Sequence, residues 1–395
     1  MHNLYVPPRK ILLFLLSLLV TGSLAHVLKK NEIPMPKVEF SIAKTETKPE
    51  EEKEIEFITA PWTDIKIRTN GVDRKYGNIV GMQVFLFAKD FAKQEWWALR
   101  LEELLKKGKD ANIYDRKTII ILPENIGTGL VFLGEKDFVF EKETWQEAMD
   151  AFVKKHESEL QSFLPDSKKP KATWEAAFRY RSEEMAKVYQ ETFSKLANTY
   201  KVPILAGSII LPSPKVVNGN LVVDPKGPLY NVSVPFSADG RVMAPLLKKT
   251  ILTEEEKQIL EPGEKNQDRT WIVPGWKVGV FMGSEVFSLP LYESLRGRPL
   301  DGLVAMSASL SPLDTKSLAD LIPEDISSLS ENQIWETQGL PKHIKLTRAV
   351  DLVHVFLHGD FFGTNPKGRT FNLRDFVNAD NAESDQEPTI LNLYF

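Results

Sequence analysis

Apolar residues along this chain fall into two rhythms. Unbroken aliphatic runs cover 78–87 (NIVGMQVFLF), 117–122 and 202–211, and runs of that length and β-branched character predict buried strands. Between them, 91–107 sets Trp96, Leu99, Leu101, Leu104 and Leu105 at helical spacing, and 144–164 and 174–200 predict two long amphipathic helices. Beyond residue 211 the pattern shortens. Segments 220–223 and 230–236 read as short strands, and Ala238-Asp239-Gly240 supplies an Asp-Gly turn before 241–247 leads back to two lysines. Segments 276–282 and 302–306 are further strands with a helix at 291–295 between them, and 348–356 fits either helix or strand. Buried strands alternating with helices, plus interposed hairpins, predict a layered α/β domain with a mixed sheet or a sheet pair. No linker-like segment interrupts 60–375, which reads as one large domain without internal repeats.

The two ends differ from this middle. Arg9 and Lys10 precede an apolar run, 11–28, that carries no formal charge. That is the pattern of an export signal or an N-terminal membrane anchor. Ser23-Leu24-Ala25 favours cleavage before His26, whereas the length of the run favours a span, and the two alternatives stay open. Either one places the bulk of the protein outside the cytoplasm, secreted or periplasmic or held by one transmembrane helix. Residues 29–59 read as a charged linker, ending in KPEEEKEIE. Residues 376–395 read as an acidic C-terminal tail, loose over 378–388, with 390–395 apolar enough to dock.

Composition narrows the chemistry. Of 395 residues 42% are hydrophobic and 26% charged, and the net charge is −4. That suits a globular protein with a sizeable core. Lys and Arg are scattered, so no nucleic-acid footprint is present. The chain contains no cysteine, which removes disulfides, thiolate metal ligands and thiol nucleophiles together. Three segments carry candidate chemistry. Glu124 stands at the polar end of the apolar run in KTIIILPEN. Lys249 lies in MAPLLKKTIL, with Lys248 as its competitor. The strand-like KVGVFMGSEVFSLP, 277–290, has the look of a segment that delivers a nucleophile, and Gly283 stands where the nucleophile is expected.

In this order the segments resemble the nitrilase, or carbon–nitrogen hydrolase, superfamily, from about Asn78 to Asn372. Leu122-Pro123-Glu124 resembles the family's hydrophobic-Pro-Glu motif, and Ala206-Gly207-Ser208 the strand after the long helices. Tyr230-Asn231, Asp239-Gly240 and Lys249-Thr250-Ile251-Leu252 follow its Tyr-Asn, Asp-Gly and Lys-x-His-Leu succession, with Ile251 replacing the usual histidine. Lys277-Val278-Gly279-Val280 resembles the strand ending at the nucleophile, so Gly283 falls on the cysteine and Glu285 on the acidic residue two places later. Asp301, Arg348-Ala349-Val350 and Pro366-Lys367-Gly368-Arg369 fit later elements. The resemblance implies a four-layer-type α-β-β-α sandwich in a single large domain, no cofactor, no metal, and a homodimer built through the flanking helices. It also implies that Glu124 is the base, Lys249 the oxyanion-stabilising cation, and one of Glu254–Glu256, with Glu256 as the candidate, a second acid.

Cleaving a C–N bond through a covalent intermediate requires an attacking atom, a base and a fixed positive charge. Glu124 and Lys249 suit the last two. Gly283 attacks nothing. Ser284 is the adjacent substitute, but neighbours on an extended strand point to opposite faces, and a serine hydroxyl ionises far less readily than a thiol. A non-catalytic protein that binds a small amide or acyl ligand, or a protein partner, is the favoured reading. The alternative is an amidase or acyltransferase that uses Ser284 or a water activated by Glu124. Other features have plainer readings. The 254–256 acid run reads as the first turn of a helix capped by Thr253, and Trp96-Trp97 and Phe361-Phe362 as core. His354 and His358 are four apart and could face a metal together, but no third ligand is evident, and lone histidines are usually packed or surface residues. Asn231-Val232-Ser233 is a glycosylation sequon.

Overall fold

The computed structural model describes residues 55–60, 62, 64–165, 169–310, 313, 318, 321, 322, 325–384 and 386–395. The candidate signal or anchor, 1–28, and most of the 29–59 linker lie outside the described residues. Among the described residues, no helix is long and apolar enough to cross a membrane.

In chain order the strands are β1 (Lys66–Asn70), β2 (Asn78–Phe87), β3 (Thr118–Ile121), β4 (Ile204–Pro212), β5 (Lys215–Val217), β6 (Asn220–Val222), β7 (Leu229–Phe236), β8 (Leu247–Lys248), β9 (Thr270–Val273), β10 (Trp276–Met282), β11 (Gly302–Ser307), β12 (Leu352–Asp360), β13 (Phe371–Arg374), β14 (Asn378–Asn381) and β15 (Thr389–Tyr394). The longer helices are α1 (Gln94–Asp110), α2 (Trp145–Lys155), α3 (Ala172–Tyr200), α4 (Leu289–Leu295) and α5 (Glu331–Gln338).

Two halves of sheet face each other. The first runs β8-β7-β4-β3-β2 and continues through β15 to β1. The second runs β12-β11-β10-β9, with β13 and β14 beside β12. They join where the ends of β2 and β12 pair in parallel, Val84–Phe87 against Leu357–Asp360. Side-chain alternation along the strands builds three cores. Ile79, Ile119 and Ile121 of the first half meet Val280, Met306 and Val355 of the second between the sheets. Val80 and Ile120 point the other way, under Trp97 of α1 and Phe193 of α3. Phe281 and Phe356 point outward under Tyr292 of α4 and Trp335 of α5. The order of layers is therefore helix, sheet, sheet, helix, as expected. The segment 352–360 is strand, because all but its last residue are buried, 352–356 in a parallel ladder with β11 and 357–360 in one with β2.

Three expectations are corrected. The stretch 378–388 is not loose throughout, since β14 pairs antiparallel with β13 from Arg374↔Asn378 to Phe371↔Asn381, while the apolar end at 390–395 docks as expected. β15 pairs antiparallel with β2 from Thr389↔Gln83 to Tyr394↔Asn78, and parallel with β1. Its alternating apolar residues serve both faces, Ile390 beneath the helices and Leu393 between the sheets. The predicted helix 144–164 is interrupted: Trp145–Lys155 breaks at His156, which bonds Glu135 at 2.8 Å, and short helical segments follow at Glu157–Leu160 and Gln161–Phe163. On α1, Trp97 is core as expected, fully buried with its indole N–H on the Ile126 carbonyl at 3.1 Å, but Leu99, placed on the apolar face, is exposed.

Candidate active site

Glu124 is held by a tight crossing of two strands. Past β3 the chain turns at Pro123, and Asn125 takes φ +60, a conformation asparagine tolerates better than most residues. Gly207 takes φ +68 at an irregularity in the β4–β7 pairing. A Cβ there would lie 2.0 Å from the Pro123 carbonyl oxygen, so only glycine permits this approach. Ser208 completes the clamp, its hydroxyl accepting from Asn125 N–H at 2.8 Å.

Lys249 follows β8 and donates its backbone N–H to the Asn231 carbonyl on β7 at 2.9 Å. Its ammonium lies 2.8 Å from Glu124 Oε1 and 2.6 Å from Glu256 Oε1. Asn231 Nδ2 donates to the same Glu124 oxygen at 2.9 Å, and Ala308 N–H, just past β11, reaches Glu124 Oε2 at 3.3 Å. Glu256 serves two functions. Its Oε2 accepts from Thr253 N–H at 2.8 Å while Thr253 Oγ1 accepts from Glu256 N–H at 3.2 Å, a reciprocal cap. The other oxygen faces Lys249. Glu254 instead pairs with Lys257 on the surface, and Lys248 places its ammonium over the Tyr230 ring at 3.9 Å. The geometry thus selects Lys249 over Lys248 and Glu256 over its acidic neighbours.

Electrostatically the trio is unequal, two carboxylates to one ammonium. Burial pushes Glu124 up to about 7; the Lys249 charge opposes this and the Glu256 charge adds to it. Burial works against the charge on Lys249, yet Glu124 and Glu256 together hold its pKa above that of an ordinary lysine. A carboxyl poised near neutrality beside a permanently charged lysine is suited to giving and taking a proton.

Gly283 opens a short 3₁₀ turn, Gly283–Phe287, at φ +50. A Cβ at this position would meet Lys249 Nζ at 2.7 Å and Glu124 Oε2 at 2.8 Å. The space of a nucleophilic side chain is therefore taken by the ion pair itself. Ser284 faces elsewhere and donates its hydroxyl to the Ile251 carbonyl at 3.0 Å. Glu285 is fully buried and anchors the turn. It accepts from Met282 N–H at 2.9 Å, from Thr250 N–H at 2.6 Å, and from Arg269 at both oxygens, each at 2.6 Å. Sequence reasoning missed Arg269; the available signal was that a buried glutamate requires a cation. Asp301 ties the start of β10, accepting from Lys277 N–H at 2.7 Å.

Asn231 was read as a sequon, but its side chain is buried against Glu124. It belongs to the candidate site and offers no amide for a glycan. His354 and His358 both lie on β12 and are fully buried. Four residues of strand separate them by about 13 Å, too far to share one ion. His354 bonds Ser307 at 2.8 Å, and burial pushes it down to about 3. That pair faces the helical layer of Phe356 and Trp335, away from Glu124. Among the described residues, no cluster of three or more His, Asp or Glu is arranged to hold a metal.

A cavity of about 650 Å³ borders the trio, reaching it at Asn125 and Glu256. Its walls are largely apolar, with Phe91, Trp145, Trp174, Phe178 and Phe361 prominent.

No protein-family profile and no curated protein matches the chain. Solved structures do. A variant of the amidase from Nesterenkonia sp. AN1, with acrylamide added at its active-site cysteine, aligns at TM-score 0.51 over 80% of this chain and 92% of that one, with 11% identity. A cysteine-to-serine variant of the same nitrilase-superfamily amidase aligns at TM-score 0.51 over 82% and 92%, with 12% identity. The fold is that of the nitrilase superfamily. The active-site cysteine of that amidase has no counterpart in this nitrilase-fold chain, which contains none at all.

Proposed function

We propose that this is an exported or membrane-tethered nitrilase-fold protein that has lost covalent C–N hydrolysis and keeps its pocket for binding a small ligand. One observation carries the reading. Gly283 supplies no attacking atom, and the volume that a side chain would need there is filled by the Lys249–Glu124 ion pair. Ser284 is a poor substitute, since its hydroxyl is committed to Ile251 on another line. The near-neutral Glu124 supports one alternative, a water activated directly by that carboxyl. A single assay separates the two. The full chain, incubated with a panel of aliphatic and aromatic carboxamides, is expected to release no ammonia and to gain no acyl adduct by intact mass. Ammonia release that Glu124→Gln abolishes would overturn the non-catalytic reading in favour of the water mechanism.

A further inference from the structure

Residues 250–262 leave the fold at Lys249 and return at Gly263, where Gly263 N–H donates to the Lys249 carbonyl at 2.8 Å and closes the neck. A Cβ on Gly263 would lie 2.7 Å from Lys248 Cβ, so the close return needs glycine. Compact loops with joined ends are frequently functional. Both legs of this one are pinned. On the outgoing leg, Thr250 donates its N–H and hydroxyl to Glu285 at 2.6 and 2.8 Å, and the Ile251 carbonyl accepts from Ser284. On the return leg, Leu260 is buried, Glu261 N–H donates to the Leu229 carbonyl at 2.8 Å, and the Lys169 ammonium pairs with Glu261 at 2.6 Å. The crest between the legs, 253–259, is one chain thick. Thr253, Glu254 and Lys257 are exposed, whereas Glu256, Gln258 and Ile259 are half-buried and line the cavity. Glu255 lies at the rim and is itself engaged. Other parts of the wall, Trp174 and Phe178 of α3 and Ile210 of β4, are backed by the core. The charged tie from crest to interior is Glu256, 2.6 Å from Lys249.

We infer that the crest 253–259 is a gate to the cavity, latched by Glu256 on Lys249. Closed, the latch sets two carboxylates on one ammonium. Open, Lys249 and Glu124 remain as a matched pair, so opening leaves no buried charge without a partner. The latch is stronger when Glu124 is neutral, because its repulsion on Glu256 is then gone. Gate and trio are thereby coupled, and the coupling is reciprocal. Glu256 suits a latch by position, its side chain 20% exposed where that of Lys249 is 4% exposed. Free of the latch, the single 3₁₀ turn Glu256–Gln258 is marginal, so opening frees its amides to exchange. The gate does not depend on whether the pocket binds or hydrolyses its ligand, and it survives either outcome of the carboxamide assay.

Native-state hydrogen exchange of the full chain, read by mass spectrometry on peptides spanning 253–259, tests the gate. The measurement is made at pH 8, where Glu124, pushed up to about 7, is ionised. Glu256→Gln keeps an oxygen for the Thr253 N–H but no charge for Lys249, and should speed exchange in the crest at least about fivefold. Glu124→Gln should slow it by about threefold, an opposite sign that loosened packing around the trio would not produce. Thr253→Ala removes the Thr253 hydroxyl from the cap and keeps the latch, and should change exchange less than Glu256→Gln does. Acrylamide quenching of tryptophan fluorescence follows access to Trp145 and Trp174, which line the cavity. It should rise in Glu256→Gln and fall in Glu124→Gln. Faster exchange in both glutamine variants, indifference to Glu256→Gln in protein that melts like wild type, or a larger response to Thr253→Ala than to Glu256→Gln would overturn the inference. Should Glu256→Gln fail to fold, Glu124→Gln decides alone: slower exchange upholds the gate, and unchanged or faster exchange overturns it.

Discussion

Two buried ion clusters meet at neighbouring residues, Lys249 and Thr250, and they are built on opposite principles. Arg269 and Glu285 form a matched pair. One guanidinium faces one carboxylate through two parallel bonds, and Thr250 and Met282 supply the remaining donors. Glu124, Lys249 and Glu256 are mismatched in charge, border a cavity, and include a carboxyl displaced toward neutrality. The first cluster fixes backbone: it joins the segment after β8 to the turn after β10, the two pieces of chain that flank Gly283. The second is a polar centre more elaborate than stability alone requires, since a buried cluster with an uncompensated charge is costly. The contrast shows which buried charges hold the site in place and which constitute it.

The largest expected effect comes from breaking the matched pair. Arg269→Met leaves Glu285 buried without its cation and should cost about 3–5 kcal/mol in urea denaturation. A loss within the range of a surface ion pair, below about 1 kcal/mol, would erase the distinction drawn between the clusters.

A smaller effect, with a definite pH signature, is expected at the mismatched trio. The folded pKa of Glu124 is raised from 4.5 to about 7. The folded state therefore holds a proton that the unfolded chain releases within that window. The resulting stabilisation is complete below pH 4.5 and is lost as pH rises through about 7. Glu124→Gln removes this dependence. The stability of wild type relative to the variant should fall by on the order of 3 kcal/mol between pH 4.5 and 7.5, measured by denaturation at each pH. A flat difference would return Glu124 to the ordinary carboxylate range and make the trio as static as its neighbour.

The smallest effect is assigned to Ser284, which belongs to neither cluster. Ser284→Ala removes one hydroxyl bond to the Ile251 carbonyl and should cost no more than about 1 kcal/mol. After incubation with the carboxamide panel the variant, like wild type, should carry no acyl adduct by intact mass. An acyl adduct on wild type that the variant lacks would mean that the serine faces the pocket after all.

The sequence by itself determined the alternation of buried runs and helices, hence the layered α/β class. It also determined the absence of any thiol, while the candidacy of Glu124, Lys249 and Gly283 came from the resemblance of the motif order to the nitrilase superfamily; the layered class follows from periodicity that local chemistry enforces. The sequence left open, or misread, what depends on partners far along the chain. Asn231 was read both in a Tyr-Asn motif and as a sequon, and only the fold chose between them, because β7 carries it against Glu124. The acidic stretch 378–388 looked loose until β13 paired with 378–381, and only the fold showed that the docking site of 390–395 is the edge of β2. The choice of Lys249 and Glu256 over their neighbours, the Arg269–Glu285 pair and the filling of the place above Gly283 were decided by tertiary structure alone. Each depends on side chains that distant strands bring within hydrogen-bond range, and on burial that makes an unpaired charge too costly to leave there.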